Sequence, residues 1–107
     1  MNRGNLVTVV IAGDYGKPRP ALVVQGDAFR DLASVTVLQL TSDLREGPFF
    51  RIGVEPTPQN GLLKRSIIMV DKAVTVRRAR IGKRIGCLDN DTMRRVDRAL
   101  ARFLGLE

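Results

Sequence analysis

The chain is a series of short apolar runs that proline and glycine interrupt every few residues. The runs are rich in β-branched residues, and residues 34–40 (SVTVLQL) alternate with the two-residue period of a strand. The predicted strands cover residues 6–11, 18–25, 34–40, 49–54, 66–70 and 73–76. Five to seven short strands joined by tight loops favour one domain, residues 1–107, built on a strongly curved antiparallel sheet or open barrel.

Three short connections are also predicted between these strands. Asp27 can cap a single helical turn over 28–33, and residues 61–65 can form another turn of helix. Asp71-Lys72 is predicted as a turn that separates the strand 66–70 from the strand 73–76.

The C-terminal part of the chain predicts one amphipathic helix. Asp89 is a suitable N-cap, and Leu88 before it can pack on Met93. Gly105 is expected to end the helix. The apolar stripe at helical spacing consists of Met93, Val96, Leu100 and Phe103. The sequence therefore predicts a mainly β fold with a C-terminal α-helix docked on the sheet.

The positive charge is confined to one part of the sequence. Lys and Arg number 18 against 11 Asp and Glu, which gives a net charge of +7. Residues 1–63 hold six basic and six acidic residues, whereas 64–107 hold twelve and five, and five of the basic ones lie in 77–84. Such an excess indicates a polyanionic partner, either nucleic acid or an acidic protein. A solvated basic face that aids solubility would explain the same charge.

Composition excludes several kinds of chemistry. The chain has no histidine, which removes histidine acid–base catalysis, Ser-His triads and histidine metal sites. The lone Cys87 excludes an internal disulfide and fits a cytoplasmic protein. No apolar run approaches the roughly 20 residues of a membrane span, so no membrane association is expected. Capping explains the acidic residues near 89–91, so no metal or cofactor is predicted.

One pair of positions could bind a phosphate. Arg19 lies between two prolines at the start of the second strand, and Thr41-Ser42 end the third. Arginine offers a bidentate donor fork with a permanent charge, and hydroxyl groups add directional donors. Arginine and threonine at strand ends are also common on ordinary surfaces, and from composition alone that interpretation is favoured.

Four segments resemble a known family: Arg3-Gly4 followed by LVTVV, then GDYGKPRPALVVQ, VTVLQLTS and GLLKRSIIMVDKAVTVRRARIGKRIG. In this order and spacing they resemble the MazF/PemK toxins, the ribonuclease components of bacterial toxin–antitoxin pairs. The resemblance runs from about residue 3 to the C-terminal helix. It implies an SH3-like curved barrel of the MazF/CcdB type with a C-terminal helix.

The resemblance also implies an activity and the residues that perform it. The family cleaves single-stranded RNA, often mRNA, at short preferred sequences without a metal ion. Its Arg-Pro arginine corresponds to Arg19, and its hydroxyl after the third strand corresponds to Thr41. We expect the RNA 2′-hydroxyl to attack the adjacent phosphate, leaving a 2′,3′-cyclic phosphate and a 5′-hydroxyl. Arg19 would stabilise the charge of the phosphorane, and Thr41 would position the phosphate.

Further RNA contacts and partners follow from the same resemblance. The predicted RNA-binding residues are Asp14, Tyr15, Lys17 and Ser42, together with Arg77 and Arg78. The last two are indicated by the positive charge of 77–84 and not by the resemblance, and a solvated basic face would explain them as well. Asp14 and Tyr15 lie in a first loop that is shorter than in many relatives, which carry a Gly-Ser-Glu-Gln-type sequence before Arg-Pro. The family forms homodimers, and a cognate antitoxin inhibits it with an acidic, partly disordered tail that crosses the RNA groove.

Two other functions use the same fold. A CcdB-like toxin inhibits gyrase without being an enzyme, and acts through a Trp-Gly-Ile-like C-terminal end. This chain ends in Gly105-Leu106-Glu107 and contains no tryptophan, which disfavours that function. The other alternative is an inactive RNA-binding relative of the toxins.

Overall fold

The computed structural model describes residues 1–11, 16–43 and 51–107. Within them the elements are β1 (Asn5–Val9), β2 (Arg19–Val23), β3 (Ser34–Thr41), β4 (Arg51–Val54), β5 (Ser66–Arg77), β6 (Ile81–Cys87) and α1 (Asn90–Phe103), with 3-10 helices at Asp27–Phe29 and Arg78–Arg80. The six strands form one antiparallel sheet in the order β4-β5-β3-β2-β1-β6. Because β4 and β6 are its two edges, the described sheet is not closed. A mainly β fold with a C-terminal helix is confirmed.

Both faces of the central strands are buried. Leu6 and Leu22, which lie opposite each other on β1 and β2, belong to one apolar cluster. Their neighbours Val7 and Ala21 belong to a second cluster. Successive side chains of a strand point to opposite faces, so one cluster lies on each face of the sheet. The first cluster also contains Val96 of α1, which is fully buried, so the helix docks on this face.

The start of α1 confirms its predicted cap. The Asp89 carboxylate accepts hydrogen bonds from the Thr92 hydroxyl at 2.7 Å and from the Thr92 backbone N–H at 3.0 Å. These two bonds, the hydroxyl first, lower the pKa of Asp89 below its ordinary value. Leu88 is buried in the apolar cluster against which Met93 packs, so both side chains face the same core. The predicted packing of Leu88 directly on Met93 stays a prediction.

The end of α1 confirms one prediction and corrects another. Gly105 adopts a positive φ of 74°, and its N–H donates to the Arg102 carbonyl, while the Leu106 N–H donates to the Ala101 carbonyl. This pair of bonds is the glycine-dependent ending expected for the helix. Phe103, predicted as part of the buried stripe, is 49% exposed. The residues after it are exposed as well, because the last turn extends beyond the apolar cluster.

The predicted turn at 71–72 is wrong, because β5 runs without interruption from Ser66 to Arg77. Its register with β3 shifts, however: Leu38 lies opposite Ala73, and Leu40 lies opposite Ile68. Four residues of β5 therefore face one residue of β3, and the strand bends where a turn was expected. A bend of this kind increases the curvature of the sheet.

Three local predictions also differ from the structure. Residues 61–65 form no helix. The 3-10 helix Asp27–Phe29 follows Gly26, and the Asp27 carboxylate accepts the backbone N–H of Arg3 at 2.7 Å instead of capping the turn. The strand β6 was not predicted, because its lysine, arginine and glycine residues hide any apolar alternation. Phe49 and Phe50, at the start of the predicted fourth strand, lie outside the described residues.

Two kinds of feature are absent from residues 1–11, 16–43 and 51–107. None of the helices there combines the length and the apolar character needed to cross a bilayer. Nor do three or more Asp, Glu, His or Cys side chains come together there as ligands for a metal ion.

Candidate functional site

A cavity of about 680 Å³ lies over the ends of β2 and β3. Its volume falls within the range of about 300–1,000 Å³ that is usual for ligand sites. Five of the described strands and the segment 61–64 contribute lining residues. The polar residues of the lining include Thr8, Arg19, Thr41, Ser42, Lys64 and Lys83. Both predicted catalytic residues and one predicted RNA-binding residue therefore meet in one cavity.

The pairing of β2 with β3 explains why Arg19 and Thr41 meet. Ala21 lies opposite Gln39 in this antiparallel pair. The same register continued by two residues would place Arg19 opposite Thr41, and both residues line the cavity. Directly opposed residues have Cβ atoms about 4.5–5.5 Å apart. A guanidinium group and a hydroxyl group that are 22 positions apart in the sequence can therefore contact one ligand.

Two prolines determine the backbone at Arg19. A residue before proline is disfavoured in the helical region, so Pro20 keeps Arg19 extended. Arg19 nevertheless belongs to the sheet, because it pairs with Val9 of β1. Pro18 precedes it and lines the same cavity. The arginine is therefore an exposed side chain on a restrained strand end.

Thr41 ends β3 with its hydroxyl group already oriented. Its Oγ1 accepts the backbone N–H of Asp43 at 3.1 Å. A hydroxyl oxygen that accepts one bond can still donate its own hydrogen. Thr41 can therefore donate to a ligand while its backbone neighbour fixes its orientation. Ser42, which follows it, is exposed and lines the cavity.

The charged side chains in the described lining of the cavity are all positive. Arg19, Lys64 and Lys83 line it, and no Asp or Glu is among the described lining residues. A cleft with cations of one sign concentrates anionic ligands. Together with the hydroxyl groups, these cations provide the donors that an anion with several phosphate groups requires.

Asn60 organises one wall of the cavity. This side chain is only 4% exposed, and its amide oxygen accepts the backbone N–H groups of Thr57 and Leu62, both at 3.0 Å. Its amide nitrogen donates to the Glu55 carbonyl at 2.9 Å. These bonds hold the loop that leads to the lining residues 61–64.

The same loop is packed against β6 without space for side chains. The Cys87 N–H donates to the Gln59 carbonyl at 3.0 Å. A Cβ atom on Gly86 would lie 2.4 Å from the Asn60 carbonyl, and one on Gly61 would lie 1.9 Å from the Ile85 carbonyl. Glycine is therefore required at both positions, and it fixes the distance between the wall and β6. Gly61 and Gly86 are the sequence signal for this close approach.

Of three other predicted RNA-binding residues, one does not line the cavity and two lie outside the described residues. Lys17 is exposed and directly precedes the lining residue Pro18, but is not itself part of the lining. Asp14 and Tyr15 lie outside the described residues. Their contribution to RNA binding stays a prediction.

Arg77 and Arg78 do not line the cavity. Arg77 ends β5 opposite Ser34, the first residue of β3, whereas Thr41 is the last. An eight-residue strand has a length of about 23 Å. The Arg78 Nε donates to the Leu32 carbonyl at 2.6 Å, which gives this side chain a structural bond. The structure does not bring these two arginines together with Arg19.

Four further residues line the cavity without any pattern in the sequence that indicates them: Thr8, Gln39, Lys64 and Lys83. The two lysines counted only toward the charge of the C-terminal part. Lys83 lies on the strand that was not predicted, and Thr8 is one of several strand threonines. Only the pairing of β1 with β6 brings these two together.

The fold and the cavity define a small β domain with a cationic groove. Residues 2–104 match the family described as "PemK-like, MazF-like toxin of type II toxin-antitoxin system". The protein named "Probable endoribonuclease MazF" from Mycolicibacterium smegmatis is 46% identical over 107 residues, which cover 99% of this chain and 98% of that protein. The chain therefore belongs to the PemK-like, MazF-like toxin family. The resemblance found in the sequence is confirmed.

Solved structures agree with this assignment. An endoribonuclease in complex with its cognate antitoxin from a mycobacterial species matches with a TM-score of 0.82 at 25% identity, covering 100% of this chain and 97% of that one. A MazE-MazF structure (Form-II) from Deinococcus radiodurans matches with a TM-score of 0.79 at 22% identity, covering 98% and 95%. The second likeness concerns the fold alone. Endoribonuclease is the enzyme class that the comparisons indicate for the chain.

Proposed function

We propose that the protein is the toxin of a toxin–antitoxin pair and cleaves single-stranded RNA such as mRNA at short preferred sequences, without a metal ion. The observation that supports this proposal is the meeting of Arg19 and Thr41 in a cavity whose described lining is cationic. A guanidinium beside a hydroxyl group suits one phosphodiester, and the further cations suit its neighbours in the strand.

The reaction requires one bond to form and one to break at the same phosphorus. The RNA 2′-oxygen attacks the adjacent phosphate as its proton is lost to solvent, and the bond from phosphorus to the 5′-oxygen breaks. The leaving 5′-oxygen takes up a proton from water. The products are a 2′,3′-cyclic phosphate and a 5′-hydroxyl.

The two residues act on the charge and the position of the phosphate. Arg19 stabilises the additional negative charge of the phosphorane, because a guanidinium keeps its proton and cannot serve as a base. Thr41 donates its hydroxyl hydrogen to a non-bridging oxygen, since its Oγ1 already accepts the Asp43 N–H. Arg19 and Thr41 thus position the phosphate and stabilise its negative charge, and neither role requires a histidine, which the chain lacks.

Partners follow from the family and the charge. The mycobacterial structure contains an endoribonuclease with its cognate antitoxin. We propose that this chain forms a homodimer and that a cognate antitoxin inhibits it, with an acidic, partly disordered tail that competes with RNA for the cavity. We expect the reaction to occur in the cytoplasm, because mRNA is found there and a lone cysteine suits a reducing compartment.

The test is cleavage of a mixed single-stranded RNA pool in the presence of EDTA. We expect specific cuts by the wild-type protein and a loss on the order of a hundredfold or more in Arg19→Ala. Thr41→Ala should be milder, since Ser42 is adjacent, and Thr41→Ser should retain activity. The matched control is Arg84→Ala, an exposed arginine outside the lining.

Each result decides between functions. Cuts that disappear in EDTA and return with magnesium would contradict the metal-free reaction. RNA retained without cuts would identify an inactive RNA-binding relative. Near-normal cleavage by a folded Arg19→Ala protein would remove Arg19 from the catalytic site.

A further inference from the structure

The edge strand β6 is irregular beside the cavity. Val7 of β1 lies opposite Arg84, whereas Val9 lies opposite Ile81, so two steps along β1 correspond to three along β6. The extra residue falls within Gly82-Lys83. A bulge of this type redirects a side chain and is frequent next to active sites. Lys83 lines the cavity.

Thr8 holds this bulge in place. The Thr8 Oγ1 accepts the backbone N–H of Lys83 at 3.1 Å, which satisfies the donor that the register shift takes out of the sheet. A Cβ atom on Gly82 would lie only 2.2 Å from the same oxygen. Only glycine therefore allows Thr8 to reach the Lys83 N–H. The threonine and the glycine together determine where the Lys83 side chain starts.

Lys83 forms no ion pair with another residue in the described part of the chain. Ion pairs there join Arg3 with Asp97, Arg51 with Asp71, Arg65 with Glu55 and Arg94 with Asp91. Neither Lys83 nor Lys64, the two lysines of the cavity, forms an ion pair with a residue of the described ranges. An unpaired cation that a bulge directs into a cavity is available for an anionic ligand.

We propose that Lys83 binds an RNA backbone phosphate next to the one held by Arg19 and Thr41, and that Thr8 is the residue that positions it. This inference rests on the proposed function and names a second phosphate subsite within it. Lys83 adds affinity and not rate, because it contacts a phosphate at which no bond changes. The effect should therefore appear in KM and in salt dependence, with kcat unchanged.

Binding is measured with single-stranded RNA that is 2′-O-methylated throughout, so that no cleavage occurs, over a series of salt concentrations. In Lys83→Gln we expect affinity to fall about fivefold at low salt. The slope of log affinity against log salt should decrease by about 0.7, the value for one phosphate contact on a single strand. Arg84→Gln, which removes the neighbouring exposed charge outside the lining, should leave the slope unchanged.

Two further variants separate position from charge. Lys83→Arg should keep the wild-type salt slope, since it keeps the positive charge. Thr8→Val removes the acceptor of the Lys83 N–H and keeps the shape of the side chain. We therefore expect it to decrease the salt slope, as Lys83→Gln does, whereas Thr8→Ser should keep the wild-type slope. A Thr8→Val protein with the wild-type slope would overturn the positioning role.

Other results are equally decisive. Equal slopes for Lys83→Gln and Arg84→Gln, or a loss of kcat at unchanged KM, would overturn the subsite. A poly-glutamate peptide that loses affinity in Lys83→Gln while RNA does not would assign the lysine to an acidic protein partner and overturn it as well. If RNA binding depends on Lys83 but the wild-type protein does not cleave, the subsite stands and the proposed function fails.

Discussion

Replacing Gly86 with alanine tests whether the wall of the cavity has the tight packing seen in the structure. The new Cβ would lie 2.4 Å from the Asn60 carbonyl and 2.5 Å from the Gln59 carbonyl oxygen. All of these are backbone atoms, which cannot rotate away as the end of a side chain can. The loop must therefore move by about 1 Å to reach ordinary contact distance.

The cost of Gly86→Ala follows from two contributions. Overpacking of a tight contact costs about 1–3 kcal/mol. Moving the loop also weakens the bond from the Cys87 N–H to the Gln59 carbonyl, which contributes about 0.5–1.5 kcal/mol. The free energy of unfolding should therefore fall by about 2–4 kcal/mol. For a domain of this size each kcal/mol lowers Tm by about 4–8 °C, so we expect a decrease of at least 8 °C.

Thermal unfolding followed by circular dichroism measures this change. The matched control is Gly26→Ala, whose Cβ would lie 3.7 Å from the Phe29 ring, an ordinary contact. At such a position alanine is neutral or stabilises by about 0.4–1 kcal/mol. Cleavage should also decrease in Gly86→Ala, because the displaced wall carries Leu62 and Lys64. A Gly86→Ala protein that melts within about 2 °C of the wild type would refute the packing argument.

Two other changes test the cap of α1 and Arg77, which lies outside the lining of the cavity. Asp89→Ala should lower the free energy of unfolding by about 1 kcal/mol, and Asp89→Asn by less. Because Thr92 lowers the pKa of Asp89, the stability that the charged cap adds is present above pH 4 and is lost as the pH falls below it. Urea denaturation at pH 7 and pH 3 checks this, and an equal difference from Asp89→Asn at both would contradict it. Arg77→Glu should weaken binding of a long RNA and not of a trinucleotide, since Arg77 lies at the far end of β3; anisotropy with both oligonucleotides decides.

The sequence predicted those elements whose signals are local. The cap at Asp89 and the glycine at 105 define α1 within a few residues, and the alternation of 34–40 defines β3. The continuous strand β5 was predicted as two, because a polar pair such as Asp71-Lys72 is typical of turns. In the structure Asp71 pairs with Arg51 of β4 at 3.2 Å, a contact that no local pattern reveals.

The site was predictable only in part, for a related reason. Arg19 and Thr41 were singled out as a possible phosphate site because they lie at strand ends, and the family resemblance assigned them catalytic roles. Their meeting depends on the register of β2 with β3. Lys83 could not be found, because its direction depends on a bulge that Thr8 stabilises from another strand. A bulge changes the face of the sheet to which a side chain points, and the alternation of apolar and polar residues in the sequence does not reveal where a bulge lies.

Because the chain has no histidine, we can predict how the rate of cleavage depends on pH. Histidine is the side chain whose ordinary pKa lies between pH 5 and 8, and the chain has none. In the proposed reaction Arg19 keeps its proton and Thr41 acts as a hydrogen-bond donor, so neither can remove the proton of the 2′-hydroxyl. The proposed reaction releases this proton to solvent, so hydroxide is the base in it, and the hydroxide concentration rises tenfold with each pH unit.

The rate constant under single-turnover conditions should therefore rise by about one log unit per pH unit between pH 5.5 and 7.5, with no maximum. Single-turnover conditions are required, because product release could otherwise hide the chemical step. Lys83→Gln should show the same slope, since its role is in binding. A bell-shaped profile, or a rate that is constant across this range, would show that a group of the protein is the base. The mechanism would then need a residue other than Arg19 and Thr41.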